Sequence, residues 1–149
     1  MATVTLEAAV DCRLWFYHAW FGMPGANNDL NILDRSPFFQ DLTFGRRTPA
    51  FNFTINNKEH NLLGHFSVDG IIYPDWHIFV KTISEPQGAK CVQFSMVQEA
   101  QRKDVERAFG VLQARWRILA LPRKLWSVGA MNYVIITCII LHKIITEDE

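Results

Sequence analysis

The sequence predicts a mixed α/β fold in which antiparallel strands come first and long helices come last. Three observations predict it. Apolar and polar side chains alternate near the N-terminus, apolar positions recur at helical spacing between residues 101 and 119, and residues 131–145 form the most apolar run of the chain. The 149 residues suit one domain, and the apolar share of 49% is enough for a sizeable core.

The first half of the chain is predicted to hold two strand pairs with two short helices between them. β-Branched and aromatic residues mark the strands, and asparagine, glycine and proline mark the turns and helix ends. In order, the predicted elements are a strand Thr3–Val10, a turn Asp11–Arg13, a strand Leu14–Phe21, a helix from Asn28 or Asp29 to about Asp34, a helix with Pro37 at its first position after Ser36 and an end near Gly45, a strand Phe51–Ile55, a turn Asn56–Asn57 and a strand His60–Val68. The first strand begins almost at residue 1, and from this abrupt start we expect an N-terminal truncation.

The second half is predicted to be helical. A short helix is expected from Pro74 to Val80, a long one from about Phe94 to Leu119, and a last one from about Ala130 to Thr146. The long helix carries an apolar stripe made by Val105, Ala108, Phe109, Leu112, Trp116 and Leu119. The apolar run of the last helix is too short for a bilayer of ~30 Å, so we interpret it as a buried core helix and expect no membrane contact.

Glu106 lies beside the apolar stripe and is a candidate functional residue. Arg102 and Lys103 precede it by one helical turn, and Gly110 follows it by one turn. A glycine inside a helix costs ~1 kcal/mol relative to alanine and is best tolerated where something approaches the backbone. Glu106 is therefore either a surface residue paired with Arg102 or a ligand.

The charges are segregated along the chain, although the formal net charge is zero. Between residues 102 and 124, the acids Asp104 and Glu106 stand against a larger set of cations, namely Arg102, Lys103, Arg107, Arg115, Arg117, Arg123 and Lys124. A basic stretch of this kind favours a polyanionic partner such as nucleic acid. It is equally typical of a solvated helix face, and the sequence leaves both interpretations open.

The cysteines indicate a reducing compartment. Cys12, Cys91 and Cys138 are odd in number and far apart, so neither a disulfide framework nor a zinc site is expected. The first ten residues have no basic leader and include Glu7, so secretion is not expected.

Two carboxylates stand out by position. Asp69 follows a predicted strand and precedes Gly70, at the edge where ligands gather in open α/β sheets. Together with Glu106 it could hold a cation, and oxygen-only ligation suits Mg²⁺ or Mn²⁺. The alternative is that Asp69 caps a turn and Glu106 pairs with Arg102.

Five segments in a fixed order resemble the plant-type PIF/Harbinger transposases and their domesticated relatives. These segments are Gly22–Pro37 (GMPGANNDLNILDRSP), Val68–Trp76 (VDGIIYPDW), Phe79–Ile83 (FVKTI), Arg102–Arg115 (RKDVERAFGVLQAR) and Ile140–Asp148 (ILHKIITED). The resemblance covers nearly the whole chain from Thr3. It implies an RNase H-like mixed sheet with flanking helices, so that residues 1–149 would form part of a DDE endonuclease domain.

The resemblance also implies a site. In the family, two aspartates and a glutamate hold two divalent metals, Mg²⁺ or Mn²⁺, that cut DNA. Asp69 matches the second aspartate and Glu106 the glutamate, whereas the strand that carries the first aspartate would precede Thr3 and is absent here. Asp29 is expected to cap its helix or to support the site. Ile71–Ile72 makes the loop after Asp69 one residue longer than in the family, which puts the placement of Asp69 in question.

Two functions of different classes follow as expectations. The first is a metal-dependent nuclease, impaired in this chain alone, with Arg102, Lys103, Arg107, Arg115 and Arg117 on DNA phosphates. The second is a domesticated, non-catalytic module that binds DNA or a protein; a third possibility is a relic that does not fold alone. The family resemblance further implies a nuclear location and a separate Myb-like DNA-binding partner. The sequence does not indicate an oligomeric state.

Overall fold

The computed structural model describes residues 4–24, 29–46, 50–68, 73–120 and 127–149. In chain order these contain β1 (Val4–Val10), β2 (Phe16–Pro24), α1 (Asp29–Arg35), α2 (Pro37–Thr43), β3 (Ala50–Ile55), β4 (Lys58–Leu63), β5 (Phe66–Val68), β6 (Phe79–Lys81), α3 (Ala89–Arg102), α4 (Asp104–Arg115), a 3-10 turn (Arg117–Leu119) and α5 (Val128–Asp148). The mixed α/β class is confirmed. Within these ranges the strands form three two-stranded sheets, β1–β2, β3–β4 and β5–β6, and not the single mixed sheet that was expected.

The chain divides into two compact units. Unit 1 combines Met1–Asn28 with Lys103–Glu149, and unit 2 is Asp29–Arg102. The core of unit 1 gathers one residue of β2, two of α4 and three of α5. These are Phe16, Ala108, Leu112, Ile135, Cys138 and Ile139. Leu112 lies on the predicted apolar stripe, and its burial shows that this stripe is the face by which α4 packs.

The antiparallel pair β1–β2 begins unit 1, as predicted. The turn between the strands is longer than Asp11–Arg13, because the Asp11 carboxylate accepts hydrogen bonds from the backbone N–H groups of Arg13 (2.9 Å) and Trp15 (3.0 Å). Leu14 takes a left-handed conformation inside this turn (φ 66°). The second strand therefore starts at Phe16 and not at Leu14.

Two local signals in unit 2 are confirmed. Ser36 caps α2, and its hydroxyl accepts the Phe39 N–H at 3.5 Å with proline at the first helical position. β3 and β4 form a hairpin around Asn56–Asn57, which both have positive φ angles (51° and 61°). Asparagine tolerates this conformation, which the two-residue hairpin turn requires at both central positions.

Two predictions between residues 60 and 80 are wrong. The expected strand His60–Val68 is two strands, since β4 ends at Leu63 and β5 begins at Phe66. The expected helix Pro74–Val80 does not form within the described residues from 73 onward; turns there lead into β6. β6 is only three residues long and pairs in parallel with β5, so non-local pairing decides its structure.

The prediction of a single long helix from about Phe94 to Leu119 is also wrong. α3 ends at Arg102, α4 begins at Asp104, and Lys103 lies between them. α4 then ends at Arg115, because Trp116 is extended (φ −121°, ψ 91°). An apolar period cannot report the break at Trp116, since the stripe continues across it to Leu119.

α5 is longer and less buried than expected. It spans 21 residues from Val128 to Asp148, and its buried side chains Ile135, Cys138, Ile139 and His142 lie on one face. Several large apolar side chains elsewhere on the helix are exposed, so the interpretation as a buried core helix holds for one face of α5 only. Within the described part of the chain, α5 is the one helix whose length and composition would allow it to cross a bilayer, and core helices of soluble proteins share that property.

Candidate functional site

Glu106 lies in the first turn of α4 and is exposed. α4 is held from its opposite side, where Ala108 and Leu112 are buried in the core of unit 1. The helix N-terminus carries a partial positive charge, which stabilises a carboxylate in the first turn. The sequence therefore fixes one face of α4 in the core and presents Glu106 on another.

The acid that forms the ion pair in this turn is Asp104, and not Glu106. The Asp104 carboxylate is largely buried and accepts a hydrogen bond from the Arg107 guanidinium at 2.7 Å. Glu106 makes no hydrogen bond or ion pair with another residue in the described ranges, so the expected pair with Arg102 does not form. The Glu106 carboxylate oxygens thus remain available to a ligand.

Gly110 follows Glu106 by one helical turn and leaves open space. A side chain added at this glycine would meet no atom within 4 Å. The glycine therefore serves no close packing inside the described chain. A ligand bound to the Glu106 carboxylate could therefore also approach the helix backbone at Gly110.

The five cations that were predicted to bind phosphate differ in solvent exposure and in the bonds that they already make to other residues. Arg117 is exposed, and its side chain bonds to no other described residue. Arg107 is exposed too, with one guanidinium nitrogen on Asp104. Arg102 is half-buried and Lys103 is exposed, and both already take part in interactions.

Arg115 has a structural role in unit 1. Its guanidinium binds the Glu149 carboxylate at 2.7 Å and approaches Nδ1 of His142 at 3.4 Å. Nε2 of the buried His142 lies 2.9 Å from the Leu14 carbonyl, to which it can only donate. The neutral Nε2–H tautomer satisfies both contacts, and a phosphate on Arg115 would compete with Glu149.

Asp69 lies outside the described residues, but the strand that leads to it is well defined. β5 ends at the buried Val68, which confirms that a strand end precedes this aspartate. The side-chain amide of Gln98, on α3, donates to the Val68 carbonyl at 3.0 Å and to the Val80 carbonyl at 3.1 Å. One buried side chain thereby ties the end of β5 to β6.

Gln98 is the residue that sequence reasoning missed. It is 3% exposed, its amide oxygen accepts from the Thr82 hydroxyl at 3.1 Å, and its backbone carbonyl accepts from the Ser67 hydroxyl at 3.1 Å. Nothing in the pattern of α3 marks it, because the large apolar side chains of this helix, such as Phe94, Met96 and Val97, are themselves exposed and do not outline a buried face. Only the tertiary contacts reveal its role.

Asp29 is the first residue of α1, in agreement with the predicted helix start. Its side chain and Asn28 lie outside the described part of the structure, so the expected cap and the supporting role both stay predictions. The best-defined polar contacts near a candidate acid are those of Gln98 with the Val68 and Val80 carbonyls, because Val68 immediately precedes Asp69.

The donor chemistry of the chain suits a hard divalent cation only in part. Among the described residues no group of three or more His, Cys, Asp or Glu side chains is arranged to hold a metal. Glu106 offers one open carboxylate, a ligand of the kind that Mg²⁺ and Mn²⁺ prefer. Among the described residues, Glu106 alone thus offers a ligand that suits such an ion, and the other expected ligand, Asp69, lies outside the described residues.

Comparison with known proteins identifies the family of the chain. Residues 1–149 match the model of a family described as plant transposon protein. The chain is also similar to "Protein ALP1-like" of Arabidopsis thaliana, with 25% identity over 149 residues that cover 99% of this chain and 36% of that relative. The chain thus spans about a third of the length of this curated relative, and no solved structure matches it. Since the family model covers the whole sequence, the resemblance carried by the five segments is confirmed, and the chain belongs to the plant transposon protein family.

Proposed function

We propose that this chain is part of a DDE-type, metal-dependent nuclease domain of transposase origin that acts on DNA. The observation that carries the proposal is the family match over residues 1–149, combined with an exposed, unpaired glutamate at the position of the family's motif. Asp69 and Glu106 would be two of the three metal-binding acids. Cleavage by these 149 residues alone is expected to be weak, because the resemblance supplies only two of those acids.

The bound ion would stabilise the charge on the oxygen of the attacking water or 3′-hydroxyl and on the oxygen that leaves the phosphodiester. The chain's own residues would hold that ion and position the DNA. Glu106 would do so from a helix whose other face is buried in the core, which limits its movement. The Gln98 amide would contribute indirectly, because it restrains the Val68 carbonyl one residue before Asp69.

An RNase H-like fold is part of the same proposal. A sheet of that kind contains both antiparallel and parallel neighbours. The pairs β1–β2 and β5–β6 provide one antiparallel and one parallel pairing.

The DNA would lie along the basic part of the chain. Arg117 is the strongest candidate for a phosphate contact, since its side chain is exposed and bonds to no other described residue. Lys103, Arg107 and Arg102 would add charge nearby in sequence, and Arg115 only if it released Glu149. DNA as substrate would place the protein in the nucleus, and a separate Myb-like protein is a proposed partner.

Metal binding is tested first, by calorimetric titration of Mn²⁺ into the purified chain. We expect binding by the wild type and loss of it in Asp69→Asn and in Glu106→Gln. Glu59→Gln is the matched control, because Glu59 is an exposed carboxylate on the β3–β4 hairpin in unit 2. Wild-type binding that survives both site variants would exclude these residues as ligands. No wild-type binding would remove the metal site from the proposal.

DNA binding separates the nuclease from the non-catalytic alternative. An exposed arginine such as Arg117 needs no metal to hold a phosphate, which is the observation that favours a binding module. Fluorescence anisotropy over a salt series should show weaker binding by Arg117→Gln, with the slope of log K against log salt smaller by ~1. Arg13→Gln, at an exposed arginine of the β1–β2 turn, should leave the slope unchanged. Binding that is independent of Mn²⁺ and of Glu106 would support the module.

A further inference from the structure

α5 has a second apolar face that the core of unit 1 does not use. The exposed positions Ala130, Tyr133, Thr137, Ile140 and Ile144 are spaced alternately by three and four residues, and we name them the α5 seam. Tyr133 is 77% exposed, Ile140 53% and Ile144 52%. A helix that is apolar on all sides is normally covered on all sides, so this face lacks a partner in the described chain.

The spacing of the seam is that of a helix-packing surface. Alternation of three and four residues keeps one stripe facing a second helix, so that each side chain fits between four of the partner. The polar member of the stripe does not oppose burial, because the Thr137 hydroxyl donates to the Tyr133 carbonyl of its own helix at 2.7 Å. No residue of the seam carries a charge.

The area of the seam agrees with a modest protein interface. With Leu141 and Ile145, which are exposed beside it, the seam presents on the order of 500 Å² of apolar surface, at the upper end of what monomers leave uncovered. A stable dimer buries about 800 Å² on each partner. The seam therefore provides most, but not all, of the surface that a dimer needs, which predicts a dimer that dissociates on dilution.

We propose that the occupant of the α5 seam is α5 of a second copy of this chain, in antiparallel orientation. The charges of α5 select this arrangement. Its C-terminal end carries Glu147 and Asp148, whereas its first turn has no acidic residue and exposes the partial positive charge of a helix N-terminus. Antiparallel pairing brings each acidic end beside the N-terminus of the other helix. Parallel pairing would place the acidic ends side by side.

The pairing register follows from the seam. If the two helices cross between Thr137 and Ile140, Tyr133 of one copy lies opposite Ile144 of the other. Ala130 then lies opposite Glu147, at the helix N-terminus. The two-fold symmetry makes both halves of the interface identical, as in most homodimers.

The first test is sedimentation velocity over a hundredfold range of concentration. We expect the wild type to move from a species of 17.2 kDa to one of twice that mass. Ile144→Asp should weaken the dimer at least about tenfold, with an unchanged melting temperature because this side chain is outside the core. Val92→Asp on α3 is the control, since Val92 is also exposed (42%) and lies outside the seam.

The second test distinguishes orientation. In a background with Cys12 and Cys91 changed to serine, a mixture of Tyr133→Cys and Ile144→Cys chains should form a disulfide between unlike copies. Each variant alone should form little, whereas a parallel dimer would cross-link each variant with itself.

Three results would overturn the proposal. One is a wild-type monomer at every concentration. Another is a dimer that Ile144→Asp does not weaken. The third is flotation of the wild type with phosphatidylcholine vesicles that Ile144→Asp abolishes, which would assign the face to a lipid surface.

Discussion

Replacement of Gln98 by leucine should destabilise unit 2 without changing its exposed surface. The two side chains are similar in size, but leucine cannot donate to the Val68 and Val80 carbonyls or accept from the Thr82 hydroxyl. Gln98 is 3% exposed, so water cannot easily take its place. The substitution therefore tests whether this amide holds the two parallel strands together.

The magnitude follows from the three lost hydrogen bonds. A buried polar group without its partner costs about 1–3 kcal/mol. The two strand carbonyls fall at the lower end, since each has a second lone pair, and the half-buried Thr82 hydroxyl can turn towards solvent. We expect a total of about 2–3 kcal/mol, which corresponds to a fall in melting temperature of roughly 5–10 °C for a chain of this size.

The assay needs a probe that reports the unfolding of unit 2 alone. Trp76 is the one tryptophan in the sequence of this unit, and it stacks on Phe79 of β6, with ring centroids 5.5 Å apart. Labelling with fluorotryptophan gives Trp76 its own NMR signal, which can be followed through urea denaturation. Gln93→Leu is the matched control, because Gln93 is an exposed glutamine on the same helix and its replacement should change stability by less than about 0.5 kcal/mol.

Equal stability of Gln98→Leu and the wild type would refute this reasoning. A second variant, Gln98→Glu, tests the direction in which stability changes with pH. Two carbonyls and burial disfavour an ionised carboxylate there, so folding raises the pKa of the new acid above its unfolded value of ~4.3. The folded state then binds the proton more tightly, and this variant should regain stability as the pH falls.

Two further predictions concern local contacts. Ser127→Ala removes the hydroxyl that accepts the Ala130 N–H at 3.2 Å and should destabilise unit 1 by about 1 kcal/mol in thermal denaturation, whereas Ser127→Asn, which can also cap, should have little effect. The Lys81 ammonium, by its hydrogen bond and its charge, holds the pKa of the Asp75 carboxyl below the usual value. NMR titration should show this pKa rising in Lys81→Met, and the small stability that the pair provides should be lost as the pH falls through the pKa of the folded state.

Local chemistry predicted the fold well where a few neighbouring residues decide the structure. Proline after Ser36 and the Asn56–Asn57 pair gave a helix start and a hairpin turn that the structure confirms. β6 could not be predicted, because its three residues become a strand only by pairing with Phe66–Val68. The break at Lys103 also escaped prediction, since neither glycine nor proline marks it.

Some features of the candidate site could likewise be predicted from the sequence, and others could not. Glu106 lies beside the apolar stripe that contains the buried Ala108 and Leu112, so its exposure on another face of α4 could be predicted from the sequence. The ion pair between the largely buried Asp104 and the exposed Arg107 could not, because Glu106 and Arg102 offered an equally suitable helical spacing. The role of Gln98 depends on contacts with β5 and β6, about 20 to 30 residues earlier in the chain.

The interleaving of the two units along the sequence has a consequence for how the protein forms during synthesis. Unit 2 is one continuous stretch, so its contacts can be completed as soon as Arg102 has left the ribosome. Unit 1 must wait for its last helix, since Phe16 packs against Ile135, Cys138 and Ile139, and the Leu14 carbonyl binds His142 across 128 residues. Until α5 has been synthesised, β1 and β2 are an isolated strand pair, which is marginally stable in water at best. The nascent chain therefore exposes its N-terminal aromatic residues longest, and chaperones that bind apolar segments would meet this part of the protein first.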